Sequence, residues 1–99
     1  MNLKELQNWV KDDWEKASKN TPDSHLQLLY LIEELGEVAE AIRKTEGNKD
    51  HKEMQIDLTG EMGDVLIALA TLANHYGVDL ATAAEKSKQK IIDRHTKGL

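Results

Sequence analysis

Two short acidic words set inside helical apolar sequence restrict this chain more than anything else in it. The first is Glu33-Glu34-Leu35-Gly36-Glu37 and the second is Glu61-Met62-Gly63-Asp64. Residues three apart on a helix are neighbours on one face, so each word presents a pair of carboxylates side by side. Leu28, Leu29, Leu31, Ile32, Leu35 and Val38 surround the first pair, and Val65, Leu66, Ile67, Leu69 and Ala70 follow the second. Acids so deep in apolar sequence must reach solvent or find a counter-charge.

The rest of the chain reads as helices around these two words. Leu3, Leu6, Val10, Trp14 and Ala17 recur at helical spacing and predict a first helix from Leu3 to about Lys19. Thr21-Pro22-Asp23-Ser24 stops and restarts the chain, and a second helix runs from about Asp23 to Thr45. Gly47-Asn48-Lys49-Asp50-His51-Lys52 reads as a solvated loop, and a third helix resumes near Glu53 and ends where Gly77 can adopt a left-handed cap. Its second half is apolar nearly all round, which calls for cover on several sides by a bundle core or another subunit. Asp79 is placed as the N-cap of a fourth helix from Leu80 to about His95. No strand pattern competes, so the expected fold class is all-α: a four-helix bundle in one domain over residues 1–99.

With 99 residues, of which 39% are hydrophobic, the core is small and a partner chain would help to complete it. A net charge of −5 argues against binding a nucleic acid polymer, which needs a basic face. Cysteine is absent, which removes thiolate and disulfide chemistry. No apolar run approaches the roughly 20 residues that span a bilayer, and the first twenty residues are charged throughout, so the expectation is a cytoplasmic protein with neither membrane partner nor signal peptide.

A lone Glu-x-x-Glu on a helix is usually solvated surface. Here the two acid-bearing helices are joined by a loop of about six residues, which favours antiparallel neighbours. Glu34 and Glu37 would then face Glu61 and Asp64 across a groove, and four such carboxylates repel unless protonated or neutralised by cations. All-oxygen donors favour Mg²⁺ first and Mn²⁺ second. Neither word carries the histidine of a di-iron Glu-x-x-His pair, and His25, His51, His75 and His95 are scattered, which disfavours zinc. Glycines inside helices at Gly36, Gly60 and Gly63 cost about 1 kcal/mol each relative to alanine and suggest a close approach by another helix or a ligand.

These residues resemble the MazG-type nucleotide pyrophosphohydrolases of the all-alpha NTP pyrophosphatase superfamily. That family carries Glu-Glu-x-x-Glu on one helix and Glu-x-x-Asp on the next, matched by Glu33 to Glu37 and Glu61 to Asp64. The surrounding words ELGEVAEAI (34–42) and EMGDVLI (61–67), then Gly77-Val78-Asp79-Leu80, then Lys90 and Arg94 near the end, extend the likeness over about residues 25–94. The chain departs from some members just ahead of the second word, where it has Asp57 and Gly60.

The resemblance implies a MazG-like four-helix bundle completed by dimerisation, as a homodimer or a dimer of dimers with the site partly built across subunits. It implies hydrolysis of a nucleoside triphosphate to the monophosphate and pyrophosphate, a clean-up role in the nucleotide pool. Mg²⁺ would be held by Glu34, Glu37, Glu61 and Asp64, with Glu33 or Glu37 orienting or deprotonating the attacking water. Lys90 and Arg94, one helical turn apart, would grip phosphate oxygens, with Lys88 as a further candidate. Trp14, on the apolar stripe, and Trp9 at its edge are placed to stack on a base. The rival readings are a helical interaction module without activity, and a superfamily relative acting on dUTP or phosphoribosyl-ATP.

Overall fold

The helix termini at residues 2–5, 23–26, 73–78 and 79–82 are each closed by a hydrogen-bonding device written in the sequence. The computed structural model describes residues 1–17, 23–45 and 51–98, apart from the side chains of 45 and 51–57. Its helices are α1 (Leu3–Ala17), α2 (Ser24–Thr45), α3 (His51–His75) and α4 (Leu80–Thr96), and no strand occurs among the described residues. Asn2 Oδ1 accepts from the Glu5 amide at 2.8 Å while Glu5 Oε1 accepts from the Asn2 amide at 3.3 Å, a reciprocal box that starts α1. Asp23 lies just outside α2 and caps it by accepting from the Leu26 amide at 3.0 Å. The restart at Thr21-Pro22 and the loop expected over 47–50 lie outside the described residues, and α3 begins two residues earlier than expected, at His51.

The turn from α3 to α4 follows from one glycine and one aspartate. Gly77 takes φ +66°, a conformation that costs glycine little. The Val78 amide can then donate to the Ala73 carbonyl at 2.9 Å and the Gly77 amide to the Asn74 carbonyl at 3.2 Å, which closes the last turn of α3. Asp79 immediately opens α4, its Oδ2 accepting from the amide and hydroxyl of Thr82 at 3.1 and 2.7 Å.

Packing is strongest between α2 and α3, then between α1 and α3, while α4 rests chiefly on α1. Early α2 residues Gln27 and Tyr30 share a groove with the late α3 residues Ile67, Ala68 and Thr71, so the two helices are antiparallel. The buried apolar centre consists of Leu6, Val10 and Ala70, with Trp14 and Leu80 packed against it. Gln7, also buried, ties α1 to the α3–α4 corner.

Such a core leaves much apolar surface in water. Leu29 is 53% exposed, Ile32 57%, Leu35 58% and Met62 54%, all on the two most apolar helices. The chain exposes 7592 Å², whereas a folded monomer of this mass typically exposes about 5,700 Å². Its radius of gyration, 16.3 Å, likewise exceeds the roughly 13 Å of a compact chain of this length. A Cβ placed on Gly36, Gly60 or Gly63 would meet nothing within 4 Å. The close approach that these glycines suggested is therefore not made by the described residues of one chain. No single helix among the described residues is long and apolar enough to cross a membrane.

Candidate metal centre

The antiparallel pairing of α2 and α3 brings four acids to one place. Glu34, Glu37, Glu61 and Asp64 each offer a carboxylate oxygen, and these oxygens all lie within 4.8 Å of one another. Two of the four side chains, Glu34 and Glu61, are half-buried, while Glu37 and Asp64 are exposed. The Oε2 atoms of Glu34 and Glu61 are both buried without a hydrogen-bond partner. A buried acceptor left unmatched is costly, so the cluster as it stands lacks something that a cation or a proton would provide.

The electrostatics point the same way. Burial, reinforced by the charges of Glu37, Asp64 and Glu33 and by a hydrogen bond with Glu37, raises the Glu34 pKa above the ordinary value of 4.5. Glu61 is raised from 4.5 too, first by burial, then by a hydrogen bond with Glu37 and by the charges of Glu37, Asp64 and Glu34. Both shifts arise because negative charge is crowded where water is partly excluded. Oxygen-only donors of this kind suit a hard divalent ion such as Mg²⁺ or Mn²⁺, and the two unmatched oxygens show that the residues fit one. Among the described residues no histidine joins the cluster, and His25, His75 and His95 are exposed.

A groove of about 460 Å³ runs alongside the acids. Trp9, Val10, Asp13 and Trp14 of α1 form one wall, Gln27, Tyr30 and Glu34 come from α2, and Asp64, Ile67, Ala68 and Thr71 from α3. Trp14 packs against the core and also lines the groove. The sequence reading missed Asp13, Gln27 and Tyr30 as groove residues. The 9, 10, 13, 14 pattern on α1 was the available signal, since those positions share one helical face.

Other expected site residues are placed elsewhere. Glu33 is exposed and outside the four-oxygen cluster, although its charge acts on Glu34. Lys88 pairs with Glu85 at 3.2 Å and lines a separate groove with Met1, Leu3, Leu6 and Leu66. Lys90 and Arg94 are exposed on α4 and are not among the residues lining the groove beside the acids. Among the described residues of one chain, these three cations do not line the groove beside the four acids.

Comparison with known proteins gives one family. The model for the MazG nucleotide pyrophosphohydrolase domain matches residues 23–99. The uncharacterized protein YvdC of Bacillus subtilis (strain 168) is 31% identical over 102 residues, covering 95% of this chain and 96% of its own. The Gene 37 protein of Mycobacterium phage L5 is 35% identical over 72 residues, 70% of this chain and 63% of that protein. Among solved structures, iMazG from Vibrio DAT 722 superposes with a TM-score of 0.67 at 30% identity and covers 97% of both chains. Since the family match spans both acid-bearing helices and all of α4 that the structure describes, the chain belongs to the MazG nucleotide pyrophosphohydrolase family.

Proposed function

We propose that this protein hydrolyses a nucleoside triphosphate to the monophosphate and pyrophosphate, acting on the cytoplasmic nucleotide pool with Mg²⁺, or Mn²⁺ in its place. The observation that carries this reading is the convergence of four carboxylates within 4.8 Å, two of them with buried, unmatched oxygens. A triphosphate is itself strongly anionic, so an acidic groove accepts it only through cations. Glu34, Glu37, Glu61 and Asp64 are the ligands. A magnesium ion bound there would polarise phosphate oxygens and make a coordinated water more acidic.

The remaining work falls to this chain's own side chains. Glu33, exposed beside the cluster, or Glu37 within it orients the attacking water and takes its proton. Water adds to one phosphorus of the α,β-anhydride bridge as that phosphorus loses its P–O bond to the bridging oxygen, which leaves with the other product. The apolar groove lined by Trp14 takes the base. Lys90 and Arg94, one turn apart, hold phosphate oxygens with help from Lys88, once a second copy brings its α4 towards these acids.

A second copy is part of the proposal because the single chain exposes roughly 1,900 Å² more than a compact monomer would. That excess exceeds the roughly 800 Å² that each partner contributes to a standard interface, which supports a dimer or a dimer of dimers. The deciding experiment incubates purified protein and Mg²⁺ with common and modified NTPs and dNTPs, measuring pyrophosphate and monophosphate together. Equal release of the two is expected from at least one nucleotide. Release of orthophosphate alone, or no product at all, would overturn the reading.

A further inference from the structure

The lining of the groove beside the acids is of two chemical kinds. Glu34 and Asp64 belong to the four-oxygen cluster, while Trp9, Trp14 and Tyr30 offer aromatic surface. Its volume, about 460 Å³, suits a small planar ligand with a sugar attached. Among the described residues neither lysine nor arginine lines it, so they offer an anionic group nothing there. The orientation that follows, taking the proposed function as given, has the phosphates over the acids and the neutral base between the aromatic side chains.

One charged residue on this lining has no part in the cluster. Asp13 sits on α1 beside Trp14, is exposed, and makes neither a hydrogen bond nor an ion pair with any described residue. Thr71, on α3, already donates its hydroxyl hydrogen to the Ile67 carbonyl at 2.9 Å, so towards a ligand it can only accept. We infer that Asp13 is a specificity-determining residue, selecting nucleotides whose base carries an exocyclic amino group over those whose donor is a single N3–H between two carbonyls. Cytosine, adenine and guanine each have such an amine, and an aspartate accepts from it. Uracil and thymine have no such amine and offer only the N3–H set between two carbonyl oxygens, so a carboxylate that accepts from it also faces lone pairs on either side and holds these bases less well.

The test compares wild type with Asp13→Asn, whose amide can donate as well as accept. With Mg²⁺ present, wild-type kcat/KM is expected to favour CTP, ATP and GTP over UTP and dTTP by roughly ten- to a hundred-fold. The variant should lose most of that ranking through KM, with kcat on the best substrate little changed. Binding of the non-cleavable α,β-imido forms of CTP and UTP, followed by quenching of tryptophan fluorescence, gives a readout independent of turnover. The cytosine analogue should bind more tightly to wild type, and the difference should shrink in the variant. A wild-type preference for uracil or thymine, or a ranking unchanged by Asp13→Asn, overturns the assignment of Asp13 and leaves hydrolysis standing. Absence of pyrophosphate from every nucleotide instead overturns the proposed function and the base assignment with it.

Discussion

Gln7 and Asn74 hold each other by two hydrogen bonds: Gln7 Nε2 donates to Asn74 Oδ1 at 3.0 Å, and Asn74 Nδ2 donates to the Gln7 carbonyl at 3.0 Å. The same Gln7 side chain donates to the Val78 carbonyl at 2.8 Å and accepts from the Leu80 amide at 2.9 Å. Leu80 opens α4, so a residue of α1 satisfies one of the amides that a helix start leaves without a partner. One buried amide therefore fixes the angle at which α4 leaves α3.

Replacing Gln7 by alanine would leave the Val78 carbonyl, the Leu80 amide and Asn74 Oδ1 without their partner, while Asn74 Nδ2 keeps the backbone carbonyl of residue 7. The expected loss of stability is about 2–4 kcal/mol, seen as a lower urea midpoint at fixed protein concentration. A double-mutant cycle with Asn74→Ala should show coupling, because one hydrogen bond joins the two side chains directly. Additive losses would mean that the network contributes little.

Metal ligation makes a prediction about both fold and turnover. Glu37→Gln or Asp64→Asn should reduce pyrophosphate release by at least about a hundred-fold, since even outer-sphere changes at metal sites commonly cost ten- to a hundred-fold. Circular dichroism should stay unchanged, and the rise in melting temperature on adding Mg²⁺ should largely vanish. Near-normal activity of either variant at saturating Mg²⁺ would remove these side chains from the site.

The raised pKa values of Glu34 and Glu61 give a pH dependence with a definite sign. A carboxyl whose folded pKa lies above its unfolded value binds more protons folded than unfolded, so stability falls as pH rises. In EDTA, the melting temperature should therefore drop as pH rises from the ordinary 4.5 through the elevated folded values. Glu61→Gln should flatten this slope, and Mg²⁺ should offset it by replacing protons with a cation. An EDTA profile that is flat in this window would show that the acids do not feel one another.

Asp79 has the opposite sign. Its hydrogen bonds from the Thr82 hydroxyl and amide, followed by the charge of Lys4, lower its pKa from the ordinary 3.8, against the opposing effect of burial. The stability it contributes is complete above 3.8 and is lost as pH falls through the lower folded value. Asp79→Ala should remove this acid-labile component and fray the start of α4, visible as faster amide exchange at Thr82 and Ala83.

Much of this architecture was legible because it depends on local rules. The i, i+3 spacing places Glu34 with Glu37 and Glu61 with Asp64, and a short connection forces the two helices to run antiparallel, so the meeting of the four acids follows from the chain itself. The caps at Gly77 and Asp79 are equally local. Less legible were contacts set by tertiary placement: Gln7 sits on the stripe with Leu3, Val10 and Trp14, where an apolar residue is the usual choice, and nothing nearby announces Asn74 as its partner. Asp13 was hidden for a related reason, since an exposed aspartate on a charged face gains meaning only when α2 and α3 complete the groove opposite it. The helical glycines suggested a close neighbour, and the described residues of the single chain provide none there.

That open surface gives the last prediction. Ile32 is 57% exposed in the single chain, so in a monomer its replacement by aspartate would cost little. If instead a second copy covers α2, Ile32→Asp buries an unpaired charge in an apolar interface and separates the subunits. Light scattering at micromolar concentration should show wild type as a dimer or tetramer and the variant shifted to lower mass. Activity should fall with the mass, because Lys90 and Arg94 would then lie too far from any acidic cluster to hold phosphate. A variant that keeps its assembly and its turnover would place the interface on another face and return the task of gripping phosphate to residues of the same chain.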